Sequence, residues 1–462
     1  MKMTSTNYKT KQLQADTITP ISVFQALKGK NKVLFESNAK HEESGRYSFI
    51  AINPIAQLSG NAQQSIFQKT DAVQEVLQEG ALSALKKRLP KIIGDFPFSF
   101  FGGAIGHFSY ETAFHVENIG TPHENELKIP DVHVLFYNQL LIFDHLHQTV
   151  TIAAIDLLNE GLTEVMLEQM IQAIEQEITV HTAYTPIEEV NIEFTPTIQK
   201  ETFIDMVQQA KEHILKGDIF QVVLSQRFEA NYEDNPFTLY RKLRTVNASP
   251  YMFYLEFDHY TVLGTSPESL VKIQGNLVTT NPIAGTKRRG ETKEEDVLIA
   301  AALLRDEKEL AEHKMLVDLG RNDIGRVAEV GSVHVTKYME IERYKHVMHI
   351  VSEVKGILKD ELDAIDVIKA CLPAGTVSGA PKIRAMQIIH DLEQSRRGIY
   401  AGAIGYISST GNMDLALAIR TMVVKDEKAY VQAGAGVVYD SIAESEYEET
   451  WNKAKALLEV VQ

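Results

Sequence analysis

The clearest periodicity in the chain begins near Thr202. Phe203, Met206, Val207, Ala210 and Ile214 stand at i, i+3, i+4, i+7 and i+11, one face of a helix, and Gly217 follows as a left-handed terminator. From Ile219 to Phe228 the period shortens to two. Phe220, Val222 and Leu224 alternate with Gln221, Val223, Ser225 and Arg227, which predicts a strand with Gln221 on its more polar face. Upstream, the apolar runs 134–137 and 140–143 read as strands and 162–178 as a helix. A polar, proline-marked stretch from His181 through Pro186 to Pro196 predicts a connection between an N-terminal region, 1–185, and a C-terminal region, 197–462. Strands and helices follow one another without a βαβ rhythm, so the predicted fold class is α+β or irregular α/β.

Composition narrows the functional classes. The 462 residues carry 46 Lys and Arg against 62 Asp and Glu, a formal charge of −16. Nucleic-acid affinity comes from dense Lys and Arg, so no nucleic-acid partner is expected, and an anionic ligand must find local positive charge. The single cysteine, Cys371, excludes an intrachain disulfide, a CxxC redox pair and a cysteine-built zinc site. It lies in an apolar ACLPAGT run that suits a small buried thiol rather than a nucleophile. The opening MKMTSTNYKTKQLQAD lacks an apolar signal region, and no window approaches the ~20 apolar residues of a membrane span. The expectation is a cytoplasmic protein without membrane contact.

Common catalytic motifs are missing: there is no HExxH, no Walker loop and no GxSxG. Two carboxylate pairs stand out instead, Glu309/Glu312 and Glu446/Glu449, each at i, i+3 in a helical stretch, with Lys453 following at i+7 from Glu446. Like charges at this spacing cost a helix a few tenths of a kcal/mol unless a cation sits between them, and magnesium is such a cation. A solvated helix start accounts for the same spacing more simply, with Ser445 and Glu448 as a capping box. Glycine-threonine turns at Gly285-Thr286 and Gly375-Thr376, and the run Gly434-Ala435-Gly436, offer amides and hydroxyls to a carboxylate, or are plain turns. Arg420 in an apolar, strand-like run needs an anionic partner, from the protein or from a ligand. His349 interrupts another apolar run, where a core histidine is the simpler reading.

Seven blocks change this balance: FQVVLSQR, GTSPESL, PIAGTKRRG, EHKMLVDLGRND, PAGTVSGAPK, AIRTMVV and QAGAGVVYDSIAESEYEETWNKA, in this order across 219–456. Together they resemble the chorismate-binding enzymes, and among these most closely the large-subunit branch of anthranilate synthase. LFES, GRYSFI and NASPYMF extend the likeness toward that branch. The resemblance implies a β-sandwich core flanked by helices, with the two regions packed intimately. It implies Mg2+ held directly by Glu312 and Glu449, with Glu309 and Glu446 in outer positions. Gly285, Thr286 and Thr376 match contacts to the chorismate ring; Tyr400, Arg420, Gly434, Ala435, Gly436 and Lys453 match the grip on the enolpyruvyl carboxylate. Glu268 matches the general acid for the departing C4 hydroxyl, and His349 the histidine tied to pyruvate loss.

Two positions separate the branches. Gln221 stands where isochorismate and salicylate synthases use a lysine to activate water, and an amide cannot accept that proton. Ala284 stands where aminodeoxychorismate synthases carry a nucleophilic lysine. The implied reaction joins chorismate and ammonia to give anthranilate and pyruvate through 2-amino-2-deoxyisochorismate. The chain carries no glutaminase Cys-His constellation, so the ammonia implies a partner glutamine amidotransferase subunit. Glu36, Ser37, Asn247, Pro250, Tyr251 and Met252 match a feedback pocket for L-tryptophan. Two other readings stand beside this one: aminodeoxychorismate synthesis, without pyruvate release, and a non-catalytic tryptophan-binding module.

Overall fold

The computed structural model describes residues 6–37, 45–92, 94, 96–179, 186–187, 192–344 and 347–458. Two twelve-stranded sheets form its centre. The first runs from Tyr8–Gln14 through Thr149–Ile155, Gln139–Asp144, Tyr47–Ala51 and Val33–Glu36 into Tyr251–Phe257, Tyr260–Ser266, Thr421–Lys425, Lys428–Val437 and Gln221–Asn231. The second runs from Ile283–Arg288 through Val347–Ile357, Leu277–Thr280, Ser269–Gln274, Met413–Leu417 and Ala403–Ser408 into Gly103–Phe108, Val132–Tyr137 and Ala56–Gly60. Each sheet therefore crosses between the two halves of the chain at one antiparallel ladder. In the first, Met252 lies opposite Glu36; in the second, Gly405 lies opposite Gly106.

Three apolar layers follow. Phe100, Tyr137, Leu140, Phe253, Leu255 and Ile404 fill the space between the sheets. Phe24, Leu167, Ile171, Tyr240 and Leu243 cover the first sheet with helices, Phe203 and Met386 cover the end of that sheet at Gln221–Asn231, and Leu85, Val317 and Ile368 cover the second. Val132–Tyr137 is buried along its whole length, which is why its apolar run is nearly unbroken rather than alternating.

The expected α+β sandwich flanked by helices is what the chain forms. The periodic stretch becomes the helix Lys200–Leu215, and Gly217 ends it at φ +79°. The 162–178 stretch becomes Glu164–Ile178, capped by Thr163. Most of the expected connection, 181–185 and 188–191, lies outside the described residues; Thr195–Pro196 already pairs with Gln221–Asn231. The strand-like run around Arg420 is interrupted: one strand ends at Leu417, the next starts at Thr421, and Arg420 turns between them at φ +48°. The Ser445/Glu448 capping box does not form, because the helix Ala443–Leu458 already includes Ser445 and its ladder starts with Glu446 N–H on Ile442 O, 3.0 Å.

Candidate active site

The site is built around Lys428–Val437, whose glycines let side chains reach its backbone. A Cβ on Gly434 would lie 2.7 Å from the Tyr400 hydroxyl, and one on Gly436 would lie 2.9 Å from Gln221 Nε2. Ala435, between them, is paired with Leu224. Gln221 Nε2 donates to Glu312 Oε1 at 3.3 Å, which brings the helix Glu307–Val327 to this strand. From the other side Lys453 Nζ donates to the Gly434 carbonyl at 3.0 Å and pairs with Glu449 Oε1 at 2.6 Å. Both acidic helix faces thus converge on the same glycine-rich strand. No group of three or more potential metal-ligating side chains is gathered among the described residues.

Electrostatics ties the carboxylates together. Burial and then the Glu312 charge push Glu309 above the usual carboxylate range. Burial likewise raises Glu446, with the neighbouring Glu449 adding to it, while Lys308 of the first helix pulls it down. Glu309 reaches toward Gly285: a Cβ there would meet Glu309 Oε2 at 3.1 Å, and the backbone stands at φ +65°.

Glu268 is buried at the end of Tyr260–Ser266, and Thr376 Oγ1 donates to its Oε1 at 2.8 Å. Burial pushes its carboxyl up to about 7, against the opposing pull of Thr376 and of the Lys453 charge. His349 lies on Val347–Ile357 with Nδ1 3.2 Å from the Gly285 carbonyl and 3.0 Å from Thr286 Oγ1. A carbonyl only accepts, so Nδ1 carries the hydrogen and Nε2 keeps its lone pair. Burial lowers the pKa of this ring, and the Arg420 charge lowers it further. The Arg420 guanidinium is largely buried, which lowers its pKa, and it has no carboxylate partner among the described residues. An unpaired cation in that position suits an incoming anion. Ala284, paired with Ile350, presents no nucleophile beside these groups.

The other expectations divide. Glu36, Ser37 and Met252 line one recess of about 860 Å³, together with Arg244 and Ser48. Glu36 accepts from Arg244 through both oxygens at 2.8 Å and from the Tyr240 hydroxyl at 2.7 Å, and the Ser37 hydroxyl is buried without a partner among the described residues. Asn247, Pro250 and Tyr251 do not line that recess; Tyr251 donates instead to Asp414 Oδ1 at 3.1 Å. Cys371 is buried, and burial raises its thiol far above the ordinary range. Lys382 of the SGAPK turn is bound to Asp323 at 2.6 Å.

Sequence reasoning missed the group that holds these parts in place. Arg397, 3% exposed, donates to Glu393 at 2.8 and 2.6 Å, to the Val377 carbonyl at 2.7 Å and to the Val223 carbonyl at 2.6 Å. Its guanidinium lies 5.6 Å from the Tyr400 ring centre. It thereby fixes the Thr376 turn, the strand of Gln221 and Tyr400 against one another. The helix Lys382–Glu393 ends at Glu393 and Gln394 turns at φ +53°, so the i, i+4 spacing of Glu393 and Arg397 is not a helix-face pair and local periodicity gives no signal for it.

The chain is similar to known proteins over nearly its whole length. A family model described as chorismate binding enzyme matches residues 30–459. Anthranilate synthase component 1 of Lactococcus lactis is 45% identical over 98% of this chain and 100% of its own length, and that of Aquifex aeolicus is 43% identical over 98% and 94%. The crystal structure of anthranilate synthase component I from Streptococcus pneumoniae superposes with a TM-score of 0.84 at 43% identity, covering 97% of this chain and 99% of that one. The menaquinone-specific isochorismate synthase of Escherichia coli shares the fold alone, with a TM-score of 0.73 at 17% identity over 99% and 95%. The chain belongs to the chorismate-binding enzymes, in the branch of the anthranilate synthase component 1 chains that match it from end to end.

Proposed function

We propose that this chain converts chorismate and ammonia to anthranilate and pyruvate, with 2-amino-2-deoxyisochorismate formed and consumed in the same site. The observation that carries this reading is the placement of Glu268, buried and accepting from Thr376 Oγ1 at 2.8 Å, where burial pushes its carboxyl up to about 7. Such a group can protonate a leaving hydroxyl at neutral pH. Arg420, Tyr400 and Lys453 bind the enolpyruvyl carboxylate; Gly285, Thr286 and Thr376 orient the ring. Glu268 gives its proton to the C4 oxygen as ammonia attacks C2. His349, neutral and with Nε2 free, is positioned by Gly285 and Thr286 to take the ring proton as pyruvate leaves.

Magnesium fits the chemistry of the two carboxylate pairs, although they are not gathered into one cluster of three or more among the described residues. Each pair presents hard oxygens, and the upward shifts of Glu309 and Glu446 reflect burial and crowding within a pair that a divalent cation would offset. Glu312 and Glu449 would hold it, with Glu309 and Glu446 beside them. The bound ion supplies the local positive charge for the ring carboxylate in a protein of charge −16.

Ammonia is delivered by a glutamine amidotransferase subunit, and the recess at Glu36, Ser37 and Met252 binds L-tryptophan as a feedback inhibitor. A cytoplasmic setting follows from the substrates. The test uses purified chain with chorismate, MgCl2 and excess ammonium near pH 7, where Glu268 keeps a protonated fraction. A blue-fluorescent product and equimolar pyruvate are expected, and EDTA removes both. Amination without pyruvate points to the aminodeoxychorismate reaction, and no turnover overturns the reading.

A further inference from the structure

A second cavity, of about 30 Å³, opens beside Glu268. Its wall includes Asn281, Gly320, Asp323 and Thr376 as well as Glu268 itself. That volume holds one water molecule, which needs two to four polar partners. Two carboxyl groups in this wall each have one oxygen committed and one free. Thr376 Oγ1 donates to Glu268 Oε1 at 2.8 Å, and Lys382 Nζ donates to Asp323 Oδ2 at 2.6 Å. Glu268 Oε2 and Asp323 Oδ1 accept no hydrogen bond from any described residue. The Lys382 and Asp323 side chains are 11% and 14% exposed, so the pair keeps limited contact with solvent.

Resting on the reading above, we propose that a water in this cavity, with Asp323 and Lys382, returns to Glu268 the proton it gives to the departing C4 hydroxyl. The step balances. The C2–N bond forms and the C4–O bond breaks; Glu268 loses one proton to the leaving oxygen, which departs as water. The new ammonium centre releases one proton to solvent. Lys382 passes a proton to Asp323, the cavity water carries it to Glu268, and Lys382 regains one from solvent. Burial raises the pKa of Asp323, which brings this carboxylate closer to sharing a proton. Asp323 acts through Glu268 and touches no substrate atom.

Two variants test the relay by different routes. Asp323→Asn/Lys382→Met removes both charges together, so neither is left buried and unpaired. Gly320→Ala leaves the charges and fills the cavity: its Cβ would lie 3.2 Å from Thr280 Cγ2 and 3.4 Å from Pro282 Cγ, both in the cavity wall. Steady-state amination is measured with chorismate, MgCl2 and ammonium in H2O and D2O across pH. In both variants kcat should fall about tenfold or more while KM for chorismate stays within about twofold, with a larger solvent isotope effect and a steeper loss of rate as pH rises. Wild-type kcat and isotope effect in either variant overturn the relay, as does a loss confined to KM. Absence of aminated product from the wild-type chain overturns the functional reading instead.

Discussion

At the scale of single residues, the site depends on a carboxyl that the fold keeps protonated. Glu268 shifts from an ordinary value of 4.5 to about 7, with burial as the main cause. The folded state then binds a proton the unfolded state has released, so this group's favourable contribution is complete below about pH 4.5 and is lost as pH rises through about 7. Above that range the buried charge costs on the order of 3 kcal/mol. Glu268→Gln should therefore stabilise the protein at pH 8, by up to about that amount, and leave stability unchanged in acid; urea unfolding at the two pH values measures it. The same substitution removes the proton donor, so kcat should fall on the order of 100- to 10,000-fold with little change in KM. In the unaltered protein kcat should decline as pH rises through about 7, because only the protonated fraction is active. An enzyme whose rate climbs steadily to pH 9 with saturating ammonia would not be using this acid.

At the scale of elements, the carboxylate pairs and their i, i+3 spacing were legible because a helix face depends only on local periodicity. What they face was not, since it depends on where Lys428–Val437 passes. The Arg397 cluster was hidden for the same reason. Glu111, 286 positions away, accepts from the Arg397 amide at 2.9 Å and from the Gly398 amide at 3.0 Å, and no local pattern encodes such a contact. Arg397→Met would leave Glu393 buried without its cation. It should lower stability by about 3–5 kcal/mol in denaturant titration, a loss expected where one partner of a buried pair is removed. Gly434→Ala acts differently: its Cβ would press on the Tyr400 hydroxyl at 2.7 Å and the Leu224 carbonyl at 2.8 Å. The Lys453 bond to this residue's carbonyl would shift with it, so KM for chorismate should rise about tenfold or more, and the thermal midpoint should fall as well because the Leu224 carbonyl is backbone that must move to make room. Unchanged KM would mean that this strand does not contact the substrate.

For the whole molecule, the sequence disclosed layers but not their order. Periods of two and of 3.6 identify strands and helices one at a time, whereas Val33–Glu36 meets Tyr251–Phe257, and Gly103–Phe108 meets Ala403–Ser408, only through pairing across hundreds of positions. These two ladders put the expected boundary near 185–197 inside a shared framework. Phe100, Phe101 and Leu140 from the first half pack with Phe253, Leu255 and Ile404 from the second. Neither half can bury its part of that layer alone, and either one cut free would expose an unpaired strand edge in both sheets. The full chain should therefore unfold in a single calorimetric transition, with van't Hoff and calorimetric enthalpies in agreement. Residues 197–462 produced without 1–185 should aggregate and should remain soluble only when the two fragments are expressed together. Two separate transitions, or a soluble and cooperative 197–462 fragment, would mean that the ladders join two independent units rather than one. The distinction bears on function, because the recess at Glu36 and Met252 spans the first ladder: only in a shared framework does a ligand bound there act on strands that continue to Glu268.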